Sequence, residues 1–212
     1  MSRLFVACAV LLGTASAFAQ APTAAPAPPP KAAPTAPAAT KPNPIQISGE
    51  RTQAALAQLP APKPEDVKSV DAILKALYDV ISGPAGTPRD WARFRSLFHP
   101  GATLVPLVHT QAAPGLHARP ISPDEFVAMG TAAATARAFY EKETARQTMG
   151  FSDLVHVMST YETREAKDGP LVAKGVNSIQ LFNDGQRWWV MHIVWVDEKT
   201  AGIKVPKDLT RK

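Results

Sequence analysis

GVNSIQLFNDGQRWWVMHIVWVDE, residues Gly175 to Glu198, spells a β-hairpin. Two apolar, β-branched and aromatic runs meet at Asp184-Gly185, the pair that a tight type I′ turn favours. Three of the chain's four tryptophans lie on it. Strict alternation sorts the second run into Trp188, Val190, His192, Val194 and Val196 on one side and Arg187, Trp189, Met191, Ile193 and Trp195 on the other. Both sides are apolar, so both are expected to be covered, one by the interior and the other by a second subunit.

Working outward, further strands are expected at roughly Thr144 to Phe151, Leu154 to Arg164 and Leu171 to Phe182, with Lys167-Asp168-Gly169-Pro170 as a turn. Helical patterning precedes them. Val67, Val70, Leu74, Leu77 and Ile81 recur at steps of three and four until Gly83-Pro84 ends the stripe. Thr87-Pro88-Arg89-Asp90 reads as the start of a second, short helix that buries Trp91, Phe94 and Leu97 or Phe98. An extended piece from Ala102 to Val108 leads to a long loop, His109 to Pro120, of the kind that often covers something. Ser122 and Glu125 stand at capping-box spacing, so a third helix starts there and is expected to run to about Glu143. Helices followed by an antiparallel meander make the chain α+β.

The termini read differently. Arg3, the apolar run Leu4 to Leu12 and Ala17-Phe18-Ala19 form an export signal over residues 1–19, cleaved before Gln20, so the mature protein is expected to be periplasmic or secreted with no retained transmembrane segment. Cys8, the chain's single cysteine, lies inside that signal, which excludes disulfides and thiolate chemistry from the mature chain. Residues 20–48 are rich in Pro and Ala and read as an unstructured spacer. Residues 49–64 form a short helix and a Pro-rich connection, 65–197 the main domain, and 198–212 a basic, flexible tail. Loss of the signal leaves 22 basic against 18 acidic side chains. That excess is small, lies partly in the termini and is not interleaved with aromatics, so no nucleic acid is expected as a partner.

The order of helices, short strand and long antiparallel strands ending in a Trp-rich hairpin resembles the nuclear transport factor 2-like superfamily, and within it the SnoaL-like proteins. The likeness is carried by Leu97-Phe98-His99-Pro100-Gly101-Ala102-Thr103 and by Asp184-Gly185-Gln186-Arg187-Trp188-Trp189-Val190. It implies a cone, with three N-terminal helices packed on a curved antiparallel sheet. It also implies an apolar pocket at the open end and a homodimer through the outer sheet face. Activity does not follow from such a fold.

Candidate site residues are His192, His156, Tyr78 and Glu162 for catalysis, and Tyr78, His156, Asn177, Trp188 and His192 for ligand contact. His192 interrupts an apolar face and suits a general base or a hydrogen-bond donor, although a neighbouring carbonyl or carboxylate would also satisfy it. His156 poses the same choice beside Met158, Thr160 and Glu162. Asn177 suits a ligand-orienting amide or a side chain that completes a bulge near Gly175. Tyr78 extends the first stripe, where the resemblance implies the carbonyl-polarising tyrosine of steroid isomerases. Those isomerases also need a carboxylate base in the first strand, where this chain has Val105 and Pro106. No metal-ligand spacing, nucleotide fingerprint or phosphate loop occurs, so neither metal nor cofactor is expected. The expected function is binding of a small apolar molecule. The alternatives are a cofactor-independent lyase, isomerase or hydrolase using a pocket histidine, and a non-catalytic envelope interaction module.

Overall fold

A computed structural model describes Lys41 and residues 43–211. The expected export signal and most of the expected spacer lie outside the described residues. The first helix, α1 (Pro44–Leu56), begins earlier than expected. Asn43 caps it, and Gln46 completes a capping box by accepting from the Asn43 amide, a start signal inside what the composition presents as spacer.

The first apolar stripe is carried by two pieces, α2 (Pro64–Val67) and α3 (Val70–Ile81), because the Ser69 side chain caps a new start by accepting from Ala72 N. Asp90, rather than Thr87, caps α4 (Trp91–Leu97). Then β1 (Phe98–His109) follows without a break. The expected loop contains a short edge strand, β2 (Leu116–Ala118), that pairs back on β1. The capping box at Ser122 opens α5 (Pro123–Ala136), but the helix stops well before Glu143. Instead β3 (Tyr140–Phe151) begins at Tyr140. After it come β4 (Leu154–Arg164), β5 (Leu171–Asn183) and β6 (Trp188–Asp197).

The six strands form one sheet in the order β2-β1-β6-β5-β4-β3. The meander is antiparallel, but β1 runs parallel to β6, so the sheet is mixed rather than wholly antiparallel. Irregularities in register fall at Glu143/Ala145, Thr163/Arg164 and Gln180/Leu181. Each such bulge sharpens the local twist, and together they bend the sheet around the helices. Gly175 helps in another way. A Cβ there would lie 2.5 Å from the Tyr161 hydroxyl, so its absence lets that ring lie across β5.

The core lies between the concave face and the helices. Ile73, Leu74 and Phe94 meet Val157, Ile179 and Val190, all at most 1% exposed. Beside it, Asp66 and Arg93 form a two-pronged ion pair at 2.7 and 2.8 Å that holds the Asp66 carboxyl below its ordinary range. Arg89 donates to the carbonyls of Ile81, Gly83, Pro84 and Thr87 and so fixes the turn after α3. Through the bridge between Gly83 and Phe139 it also fixes the entry to β3.

The hairpin departs from expectation at its turn. Asp184 keeps a negative φ and only Gly185 is left-handed, at 90°, so the type I′ turn is replaced by a four-residue loop. The Asp184 carboxylate holds it by accepting from Gln186 N, Arg187 N and the Trp189 indole. Residues 198–211 are not a solvated tail. They form α6 (Glu198–Ala201), which meets β1, β5 and β6, and a 3₁₀ turn (Lys207–Thr210) laid over the outer face of β3 and β4, where Thr160 Oγ1 donates to Leu209 O at 2.6 Å. Among the described residues no helix is long and apolar enough to cross a membrane.

Candidate functional site

Between α3, α5 and the concave sheet face lies a cavity of about 110 Å³. Leu77, Phe94, Leu104, Ile193 and Trp195 supply its apolar lining. Three polar side chains enter it for separate local reasons. Tyr78 sits on the buried face of α3, one step beyond Leu77 and Leu74. Asn177 shares a cross-strand row with Ser159 and Trp195, and that row faces inward. Glu141 stands opposite Thr163 at the start of β3.

These groups are joined in a directed chain. Ser159 Oγ donates to Glu143 Oε1 at 2.6 Å and has a single hydrogen, so the 2.7 Å contact with Tyr78 is a donation from the tyrosine. Asn177 Nδ2 in turn donates to the Tyr78 oxygen at 3.0 Å. Arg146 closes the outer end, 2.9 Å from Glu143 and 2.7 Å from Asp71. The tyrosine's proton is therefore directed away from the cavity, toward a polar cleft between α3 and β3. Burial raises the Tyr78 hydroxyl well above its ordinary value, against the pull of these hydrogen bonds, and keeps it neutral.

Glu141 is the titratable group facing the apolar space. Desolvation raises its carboxyl from an ordinary 4.5 to about 7, although the Thr163 hydroxyl, 3.1 Å away, and the Asn177 amide pull it down. Near neutral pH it can therefore either donate or accept a proton.

The other expected site residues lie elsewhere. His156 and His192 share a row on the outer face with Gln180 and Thr103. His192 Nδ1 meets Thr103 Oγ1 at 2.5 Å, and His156 Nδ1 is held by the Gln180 amide. The reversal comes from the bulge in β6. Leu181 pairs with Val190 and Gln180 with His192, so Met191 is an extra residue and alternation slips by one. Inward-facing Val190 is thus followed by inward-facing Ile193, not by His192. Trp188 packs on the core without lining the cavity. Glu162 pairs with Arg164 at 2.8 Å. No residue from 109 to 120 lines the cavity. Among the described residues no cluster of three or more His, Cys, Asp or Glu is arranged to hold a metal ion.

Glu141 is the residue that sequence reasoning missed. Helix-forming Glu, Lys and Ala around it favour continuing α5 to Glu143. The signal available was the alternation in Tyr140-Glu141-Lys142-Glu143, which puts two acids on one strand face.

No family model matches the chain, and no curated protein matches it. A helical layer seated in a strongly bent six-stranded sheet is the arrangement the resemblance implied. The fold is NTF2-like. Solved structures similar to the chain include an NTF2-like protein of unknown function from Silicibacter pomeroyi, with 17% identity and a TM-score of 0.40 over 71% of this chain and 98% of that one. A second NTF2-like protein of unknown function, from Methylobacillus flagellatus, has 16% identity and a TM-score of 0.40 over 61% and 94%. LinA has 11% identity and a TM-score of 0.42 over 72% and 89%. Such similarity says nothing of what this NTF2-like chain does.

Proposed function

We propose that the cavity binds a small, largely apolar molecule that sets one polar atom against Glu141 and Asn177. The observation that carries this reading is a protonatable carboxyl beside the Asn177 amide on the wall of a mostly apolar space. A cavity near 110 Å³ is close to the roughly 150 Å³ that takes benzene in an engineered core. Titration with benzene and phenol at pH 6, followed by tryptophan fluorescence through Trp195, tests it. Phenol is expected to bind about fivefold more tightly than benzene. Glu141→Leu is expected to remove that preference. Absence of binding by both probes overturns the reading.

A second reading, cofactor-independent proton transfer, is favoured by the Glu141 carboxyl titrating at about 7. Glu141, not a histidine, then takes the role of acid and base. Exchange of the α-hydrogens of cyclohexanone in deuterated water checks it by NMR. The expected result is exchange above the buffer rate that Glu141→Gln abolishes; no acceleration by the unaltered protein sinks it.

The proposal includes export and self-association. Export rests on the N-terminal pattern around Arg3, Leu4 to Leu12 and Ala17-Phe18-Ala19. It is checked by whether the mature protein, recovered outside the cytoplasm, begins at Gln20. A homodimer through the outer sheet face is supported by Met149, Phe151 and Leu154, which are 73%, 85% and 56% exposed at one hairpin end of the sheet. Light scattering at micromolar concentration is expected to return twice the monomer mass.

A further inference from the structure

A second chamber of about 230 Å³ lies under α5, and Ile81, Phe126 and Phe139 belong to its wall and to that of the inner cavity alike. We propose that the two chambers form one site for a linear amphiphile, whose apolar chain passes Phe126 and Phe139 toward Trp195 and whose anionic head rests at Arg137. This deepens the binding reading and depends on the inner cavity being a ligand site.

Size is the first support. At about 110 Å³ the inner cavity falls below the roughly 300 Å³ at which ordinary small-molecule pockets begin, and the two chambers together reach that bound. Helix α5 makes room for the outer one with the small residues Ala133 and Ala134, while Gly130 takes the Trp91 indole, which stands 2.7 Å from where a Cβ would be. The boundary consists of side chains on anchored backbone. Phe139 is pinned by its bridge to Gly83, and Phe126 stacks on Phe94 at 5.1 Å. Rotation of these rings opens the passage without moving an element, a motion of nanoseconds for exposed side chains and slower where packed.

Charge is the second support. Two arginines and no acid line the outer chamber. Arg89 is committed to four backbone carbonyls, whereas Arg137, exposed at the end of α5, makes no ion pair among the described residues. A carboxylate or similar anion is the complement of that rim. The apolar end suits the inner cavity best when Glu141 is protonated, so the chain is expected to bind more weakly above neutral pH.

The test uses n-alkyl carboxylates from butanoate to decanoate, the alcohols of equal length, and carboxylates carrying bromine on the last carbon, all with the full mature chain at pH 6. Affinity is expected to rise about fourfold per methylene. Carboxylates should bind about fivefold more tightly than their alcohols, a modest margin because Arg137 is exposed. Arg137→Gln should erase that margin and leave alcohol affinity unchanged. Bromine on decanoate should quench fluorescence in Trp91→Phe but not in Trp195→Phe, which places the chain's end in the inner cavity. Equal affinity for carboxylates and alcohols overturns the anionic head. Binding of bromodecanoate without quenching of Trp195 overturns the joined chambers. If either occurs while phenol still binds, only the amphiphile falls; if no probe binds, the binding reading falls with it.

Discussion

Taking the Glu141 carboxyl out of water leaves its charged form poorly solvated, and that single fact sets a pH dependence. The unfolded chain releases this proton near 4.5, the folded protein near 7. Between those values the folded state holds more protons than the unfolded one, so stability falls as pH rises through the window and is level above it. Glu141→Gln removes the dependence. The variant should match the parent at pH 4 and exceed it by about 3 kcal/mol at pH 8, as read by urea unfolding at both values. A difference that does not change with pH would place the carboxyl in water. Tyr78→Phe tests the directed chain. It leaves Ser159 without its donor and Asn177 without its acceptor, and should cost about 1 to 3 kcal/mol in the same assay with no change in phenol affinity, because its proton does not face the cavity. Of these residues Tyr78 and Asn177 were legible in sequence, one from a helical stripe and the other as a polar break in a strand. Glu141 was not, because its neighbours' propensities favour helix and only pairing with β4 makes the segment a strand.

At the scale of the element, the last strand shows how one inserted residue re-addresses a face. Alternation is a sound rule while pairing is regular, and on β6 it fails at Met191, where the strand bulges against β5. The bulge is silent in sequence because both sides of the strand are apolar, so neither register breaks the hydrophobic pattern. Its consequence is that His192 bonds Thr103 on the outer face. His192→Gln should leave phenol and alkanoate binding unchanged and lower stability by less than about 1 kcal/mol. A tenfold loss of affinity with an unchanged melting temperature would return that histidine to the cavity. The same strand shows the reverse case at its start. The Asp184-Gly185 signal located the turn, while the loop type was decided by Asp184 accepting the Trp189 indole and two loop amides.

At the scale of the whole molecule, the C-terminal segment joins the sheet from outside. Thr160 is fully buried on the outer face because Leu209 O accepts from it, and the 3₁₀ turn packs over β3 and β4. Deletion of residues 205–212 should cost about 1 to 2 kcal/mol and lower the melting temperature by about 2 to 4 °C per kcal/mol, measured by thermal unfolding. An unchanged melting temperature would mean the segment does not cover that face in solution. Its basic, polar composition hides this role, since the bond is made by a backbone carbonyl that any sequence supplies. What the sequence by itself determined is the α+β class, the order of the main helices and strands and the helix start at Ser122, because local periodicity and capping chemistry act over a few residues. Only the tertiary structure decided that β1 runs parallel to β6, that Glu141 meets the cavity and that both histidines leave it. Those outcomes depend on pairing between distant strands, and a one-residue shift in pairing carries no local signature when both faces of a strand are apolar.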